Sequence, residues 1–181
     1  MIDYTLHRSR RKTVSIQITP RGEVLVKCPM HMSGTAVRAF VESKASWIEE
    51  KLRKLASQPR LPGLTEGERK ALADRARTVF AERTAWFAPL VGVDYGRITI
   101  RSQRSRWGSC SGKGNLNFNC LLMLAPPEVR DYVVVHELCH RKEMNHSARF
   151  WAEVERVLPD YRTHRKWLKE HGSELQARLE R

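Results

Sequence analysis

The chain has 181 residues, of which 33 are Lys or Arg and 20 Asp or Glu, for a net charge of +13. A chain of that length can bury a core without covalent staples, as one domain or as a domain with a small appendage. No apolar run approaches the roughly 18 residues of a membrane span, and the opening MIDYTLHRSRRK lacks the apolar stretch of a secretory signal, so we expect a cytoplasmic protein with no membrane partner.

In chain order, three short alternating segments come first, at residues 4–8, 13–19 and 23–27. Arg10-Arg11-Lys12 and Pro20-Arg21-Gly22 separate them, which predicts a small antiparallel meander. Ser33 suits a helix N-cap, and Val37, Phe40, Val41, Trp47, Ile48, Leu52 and Leu55 have helical spacing up to about Ser57. Residues 58–67, with Pro59, Pro62, Gly63 and Gly67, read as a linker. A second long helix is predicted over 68–91, carrying Leu72, Ala76, Val79, Phe80 and Phe87, with Pro89 disturbing its end. Strand patterns follow at 97–101, 106–111 and 115–120, the last two forming a hairpin about Gly112-Lys113-Gly114. In the last, Leu116, Phe118 and Cys120 alternate with Asn115, Asn117 and Asn119, so one face is apolar and one polar.

Pro126, Pro127 and Glu128 then mark a helix start, because proline suits a first turn and an early carboxylate suits the positive end of the dipole. Val129, Val133, His136 and His140 fall on one stripe of this helix, while Val134, Val135 and Leu138 make its other sides apolar. His136-Glu137-x-x-His140 stands on it. Side chains four apart lie one above the other, so the two imidazoles can close on a single ion. Glu137, about 100° round the helix, stays near enough to act as a base on a metal-bound water. Shuffling this composition produces such a motif with an expectation of only roughly 0.02.

Catalytic zinc takes three protein ligands and keeps a water. His146 is the leading third candidate, because Asn145 and Ser147 are cap-type residues that can end one helix and begin another, letting the chain turn back. Glu143, Glu153 and Glu155 remain alternatives. Beyond the turn, Phe150, Trp151, Val154 and Val157 have helical spacing and read as core, and Pro159-Asp160 starts a last helix with Tyr161, His164, Trp167 and Leu168. Tyr161 and His164 are candidate donors to a tetrahedral oxyanion. An extended substrate can pair along an edge strand beside the metal, and the asparagine-rich strand, ending shortly before the zinc helix, suits that role or else is the solvated face of a core hairpin, which makes Asn117 a candidate contact. Trp107 is a candidate cleft wall or a core residue. The tail after His171-Gly172 is charged, and fraying is expected there.

Cys28, Cys110, Cys120 and Cys139 form no CxxC pair and read as reduced, mostly packed residues. The charge is concentrated: residues 1–60 hold 12 basic and 5 acidic side chains, and residues 96–125 hold 5 basic and none acidic. Such a footprint suits DNA or another polyanion, or serves solubility alone, and no helix-turn-helix or aromatic RNA-binding signature accompanies it. A nucleic-acid-associated protein, including a DNA-linked protease, is therefore the alternative function.

The string HELCHRKEMNHSARFW, with SRWGSCS, NLNFN and LAPPEV before it and LPDYRTHRKWL after it, resembles the YgjP-like metallopeptidases, relatives of the WLM and SprT-like zinc proteases. The likeness runs over residues 97–168 in matching order. It implies that His136, His140 and His146 bind one Zn2+ per chain, that Glu137 is the general base, and that peptides or proteins are the substrates. The expected architecture is α+β: a zincin-like metallopeptidase core over 61–181, with its sheet packed on the HExxH helix, and a basic N-terminal antiparallel β plus helix module over 1–60.

Overall fold

The computed structural model describes residues 2–19, 22–57 and 62–179 and divides into two units, Met1–Leu61 and Pro62–Arg181. Residues 58–61 of the expected linker, and Pro20 and Arg21 of the second expected breaker, lie outside the described residues. The chain is a mixed α/β protein with two three-stranded sheets among those residues.

In the first unit, β1 (Thr5–Ser9), β2 (Ser15–Ile18) and β3 (Val24–Pro29) take the order β1-β3-β2. The expected meander is thus replaced by a sheet in which β1 runs parallel to β3, and β1 and β2 never pair. Burial explains the order. β3 turns Val24, Val26 and Cys28 into a core with Val37, Val41 and Ile48, which suits a central strand, whereas every β1 residue is exposed, which suits an edge. The single helix expected from Ser33 is two, α1 (Gly34–Glu42) and α2 (Ala45–Ser57). Ser33 caps the first through its side chain. At the break the Ser43 hydroxyl donates to Phe40 O at 2.7 Å, a local bond that competes with helix continuation. Trp47, counted in the apolar stripe, is 43% exposed.

The second unit holds α3 (Glu66–Val91), β4 (Ile98–Arg101), β5 (Gly108–Cys110), β6 (Leu116–Asn119), α4 (Pro127–Cys139), α5 (Ala148–Val157) and α6 (Tyr161–Ala177), with a short 3-10 turn at Cys120–Leu124. Thr65 and Glu68 form a reciprocal capping box at the start of α3. Pro89 does not stop the helix early: it runs on to Val91, and Gly92 closes it at φ 81°, a left-handed conformation that favours glycine. Phe80 of α3 stacks on Phe118 of β6 at 4.5 Å, and Arg83 grips Asp131 of α4 through two bonds of 2.7 and 2.9 Å, so α3 is fastened to both the sheet and α4. Burial of these apolar faces supplies the main stabilisation, with about 2 kcal/mol for each fully buried large side chain.

The sheet order is β4-β6-β5, with β4 parallel and β5 antiparallel to β6. The predicted hairpin is therefore present, but the asparagine strand β6 is central with both edges occupied, and the edge strands are β4 and β5. Nor is its asparagine face simply solvated. Asn119 is buried, donates to Gln103 O at 2.7 Å and Arg106 O at 3.0 Å, and accepts from Leu121 N at 3.1 Å, shaping the loop that leads into β5. As far as residue 179 the C-terminal segment is docked and not frayed: α6 continues through a buried Gly172 to a buried Leu175, and Leu64 N donates to Arg178 O at 2.8 Å. All four cysteines are free, and no helix among the described residues is long and apolar enough to cross a membrane.

Candidate metal centre

Pro127 occupies the first turn of α4 and Glu128 faces its positive end. Val129, Tyr132, Val133, Val134, Val135, Leu138 and Cys139 are buried, so the helix is enclosed almost all round by α3, α5, α6 and β5. Glu137, at 5% exposure, and His140, at 9%, are buried with it, while His136 is half-buried. The helix ends at Cys139, and the amides of Arg141, Lys142 and Glu143 fold back onto the carbonyls of Leu138 and Cys139.

The chain then reverses. Arg141 anchors the turn, donating to Asp94 Oδ1 at 2.9 Å and to the carbonyls of Asp94 and Gly112. Gly114 beneath it, at φ 79°, has no room for a side chain, since a Cβ would lie 2.9 Å from Arg141 Nε. Lys142 meets Glu153 at 2.9 Å. Asn145 Oδ1 accepts from Ser147 N at 3.1 Å, and the Ser147 hydroxyl accepts from Phe150 N at 3.3 Å to start α5. These bonds set the exposed His146 beside the α4 histidines.

One ligand nitrogen from each of His136, His140 and His146 lies within 4.8 Å of the others. His140 Nδ1 is 3.0 Å from the Glu143 carbonyl, which can only accept, so Nδ1 carries the proton and Nε2 presents its lone pair. His136 Nε2 and His146 Nε2 stand 3.1 Å apart. Two nitrogens bound to one tetrahedral ion at about 2.05 Å would be roughly 3.3 Å apart, so this pair is spaced for a single small cation, with a His140 nitrogen within 4.8 Å of both. Burial, with help from His140, His146 and Arg165, pushes His136 down to about 3, and burial also lowers His140. Neutral imidazoles, the form that ligates metals, are the result. Phe150, fully buried, underlies all three rings, with centroid distances of 4.9, 4.5 and 4.9 Å to His136, His140 and His146.

Beside this cluster, burial raises Glu137 to about 8, opposed by the positive charge of Arg106. The backbone of β5 lies directly against it: a Cβ on Gly108 would fall 2.5 Å from Glu137 Oε1 and 2.7 Å from its Cγ. A glycine there allows the strand to close over the carboxylate.

Three clustered imidazoles beside a buried carboxylate of raised basicity can bind a divalent metal and move a proton, and the sequence of this chain matches the family described as YgjP-like, metallopeptidase domain, over residues 12–75 and 64–171. The chain belongs to the YgjP-like metallopeptidase family. It is also similar to two crystal structures of metallopeptidase zymogens. Abylysin of Pyrococcus abyssi is 22% identical, with a TM-score of 0.46, the match covering 50% of this chain and 93% of that one. Jannalysin of Methanocaldococcus jannaschii is 17% identical, with a TM-score of 0.45, covering 50% and 94%. No curated protein matches the sequence.

In this YgjP-like metallopeptidase the other candidate residues fall as follows. Glu143 offers its backbone carbonyl to His140; Glu153 is engaged by Lys142 and Arg156, and Glu155 pairs with Arg162 at 3.2 Å. Tyr161 is buried and stacks on Trp151 at 5.4 Å, and His164 is held by Asp160 at 3.0 Å. Asn117 donates to Ser109 Oγ at 3.1 Å, joining β6 to β5. Trp107 packs between the main core and a smaller one around Val129 and Leu175, close against Gly172. Four residues escaped the sequence reading of the site. By its spacing Phe150 reads as core alone, Gly108 carries no turn signature, and Arg106 and Arg165 are two arginines among many; the SRWGSCS string, which holds Arg106 and Gly108, is the available pointer to those two.

Proposed function

We propose that the chain is a zinc-dependent peptidase with a zincin-like core over 61–181 and a basic appendage over 1–60, and that His136, His140 and His146 hold the metal. The observation that carries this reading is the convergence of three imidazoles on one point beside the buried Glu137. When bound, Zn2+ supplies a Lewis acid and brings the pKa of a coordinated water towards about 7.

The protein's own groups do the rest. Glu137 takes a proton from the attacking water and delivers it to the leaving amine. Its burial strengthens it as a base, and the backbone of Gly108 restricts where its carboxylate can swing. The Glu143 carbonyl orients His140, and Phe150 keeps the three rings at a common level. Tyr161 keeps a place in the cleft wall through Trp151, whose ring lies 5.7 Å from that of His146. To Trp107, Asn117 and His164 we assign the holding of β5 and α6, not contact with substrate. Binding of DNA or another polyanion by the basic segments is a separate proposal carried by charge alone.

Metal analysis together with hydrolysis of unfolded casein tests the reading. Protein purified without chelator should hold about one zinc per chain, lost in His136→Ala, His140→Ala and His146→Ala but kept in Glu143→Ala and Glu153→Ala. Glu137→Gln should retain the metal and lose hydrolysis by about 10²-fold or more. Near-normal turnover in that variant would end the proposed role of Glu137.

A further inference from the structure

We propose that Arg165 recognises a carboxylate on the peptide substrate, presented for that purpose by Trp151 at the lip of the histidine cluster. This rests on the reading of the three histidines and Glu137 as a hydrolytic centre and adds a substrate class to it. The Arg165 guanidinium carbon sits 4.4 Å from the centre of the Trp151 ring. That ring in turn lies 5.7 Å from His146 and 5.8 Å from His136, so a single indole separates the cation from two of the imidazoles. The positive charge of Arg165 is also felt by His136 and by Tyr132, whose ring is 5.8 Å from His136.

The surrounding carboxylates are otherwise engaged. Glu153 accepts from Lys142 and Arg156, Glu155 from Arg162, and Asp160 from His164. Among the described residues no carboxylate pairs with Arg165, which is exposed and lies over the indole face. Attraction to a ring face fixes a guanidinium while leaving its planar fork of N–H donors to another partner. The fork matches two oxygens of one planar group, and on a peptide that group is a carboxylate, from an acidic side chain or from the chain's own C-terminus. Arg106 beside Glu137 adds a second positive charge to the site, which further favours an anionic substrate over a cationic one.

The test uses the full-length zinc-loaded Glu137→Gln protein, which binds without cutting, and titration calorimetry with matched octapeptides. One pair carries Glu or Gln at an internal position in an otherwise neutral sequence with amidated ends; the other pair has the Gln sequence with a free or an amidated C-terminus. At least one carboxylate-bearing peptide should bind about tenfold tighter than its neutral partner, and the pair that shows the advantage names the source of the carboxylate. Adding Arg165→Ala should bring that ratio to about one, and Arg165→Lys should restore part of it, since the charge returns without the fork. Equal binding within both pairs, or an advantage that survives Arg165→Ala, would overturn the proposal. Failure of the zinc-loaded wild-type enzyme to cut its best-bound peptide would instead strike the hydrolytic reading, leaving the binding ratios to stand or fall by themselves.

Discussion

Glu137 and Gly108 show how a single missing methyl can be part of a site. Their contact is between a side-chain carboxylate and a strand backbone, so adding a Cβ at 108 forces the whole Glu137 side chain to shift, its Oε1, Cγ and Cδ all standing within 2.9 Å of the new atom. We expect Gly108→Ala to keep the metal, since the three atoms nearest the added methyl all belong to Glu137, and to lose turnover by about 10²-fold, the scale at which a displacement of about 1 Å acts on a reacting group. Metal content measured beside casein hydrolysis decides it: unchanged turnover would mean that Glu137 does not depend on its contact with β5. Gly108 was illegible in the sequence because its constraint comes from a residue 29 positions away, whereas the His136 and His140 pairing follows from helical spacing alone.

Among the elements, the loop into β5 depends on one buried side chain. Asn119 satisfies two carbonyls, those of Gln103 and Arg106, and caps the 3-10 turn through Leu121 N. Replacing it by Ala leaves those partly buried carbonyls and the Leu121 amide without their partner, at about 1–3 kcal/mol in total if water enters partly. Asn119→Ala should accordingly lower the denaturant midpoint without changing its slope, and should lower activity more than metal affinity, because Arg106 and Gly108 lie on the Glu137 side of the site. Loss of metal in step with activity would place the histidines under the same loop. Period-2 alternation marked the asparagine face correctly, yet alternation cannot distinguish a solvated asparagine from a buried one that closes a loop. The break that carries His146 was easier to read. Asn145 and Ser147 act on amides two and three residues away, and such capping chemistry is written locally.

Over the whole molecule, the basic excess is shared between the two units: Arg8, Arg10, Arg11 and Lys12 belong to the first, and Arg101, Arg104 and Arg106 to the second. Some of this charge has a structural use, since Arg8 donates to Met30 O at 3.1 Å and also to Met32 O. If the basic segments bind duplex DNA, log affinity should fall steeply with log salt, each arginine or lysine contact removed lessening the slope by about 0.9. Titration of a labelled duplex at several salt concentrations, with Arg10, Arg11 and Lys12 replaced by Ala, measures this directly. Binding no tighter than about millimolar near 0.15 M salt would leave solubility as the role of the charge.

The sequence by itself determined what short-range physics controls: the start of α4 at Pro127, the stripe with His136 and His140, the capping turn before α5, and the β5–β6 hairpin. The same local reading offered Glu137 as the base and His146 as the leading third ligand over Glu143, Glu153 and Glu155, and the family motifs imply the same set. Only the tertiary structure decided that β1 runs parallel to β3, that β6 is central between β4 and β5, that Phe150 underlies three imidazoles, and that Trp151 carries Arg165 to their side. The reason is the range of the interactions. Caps and helical faces are set by residues at most a few positions apart, while strand order and the approach of one element to another depend on which apolar faces find each other across the chain.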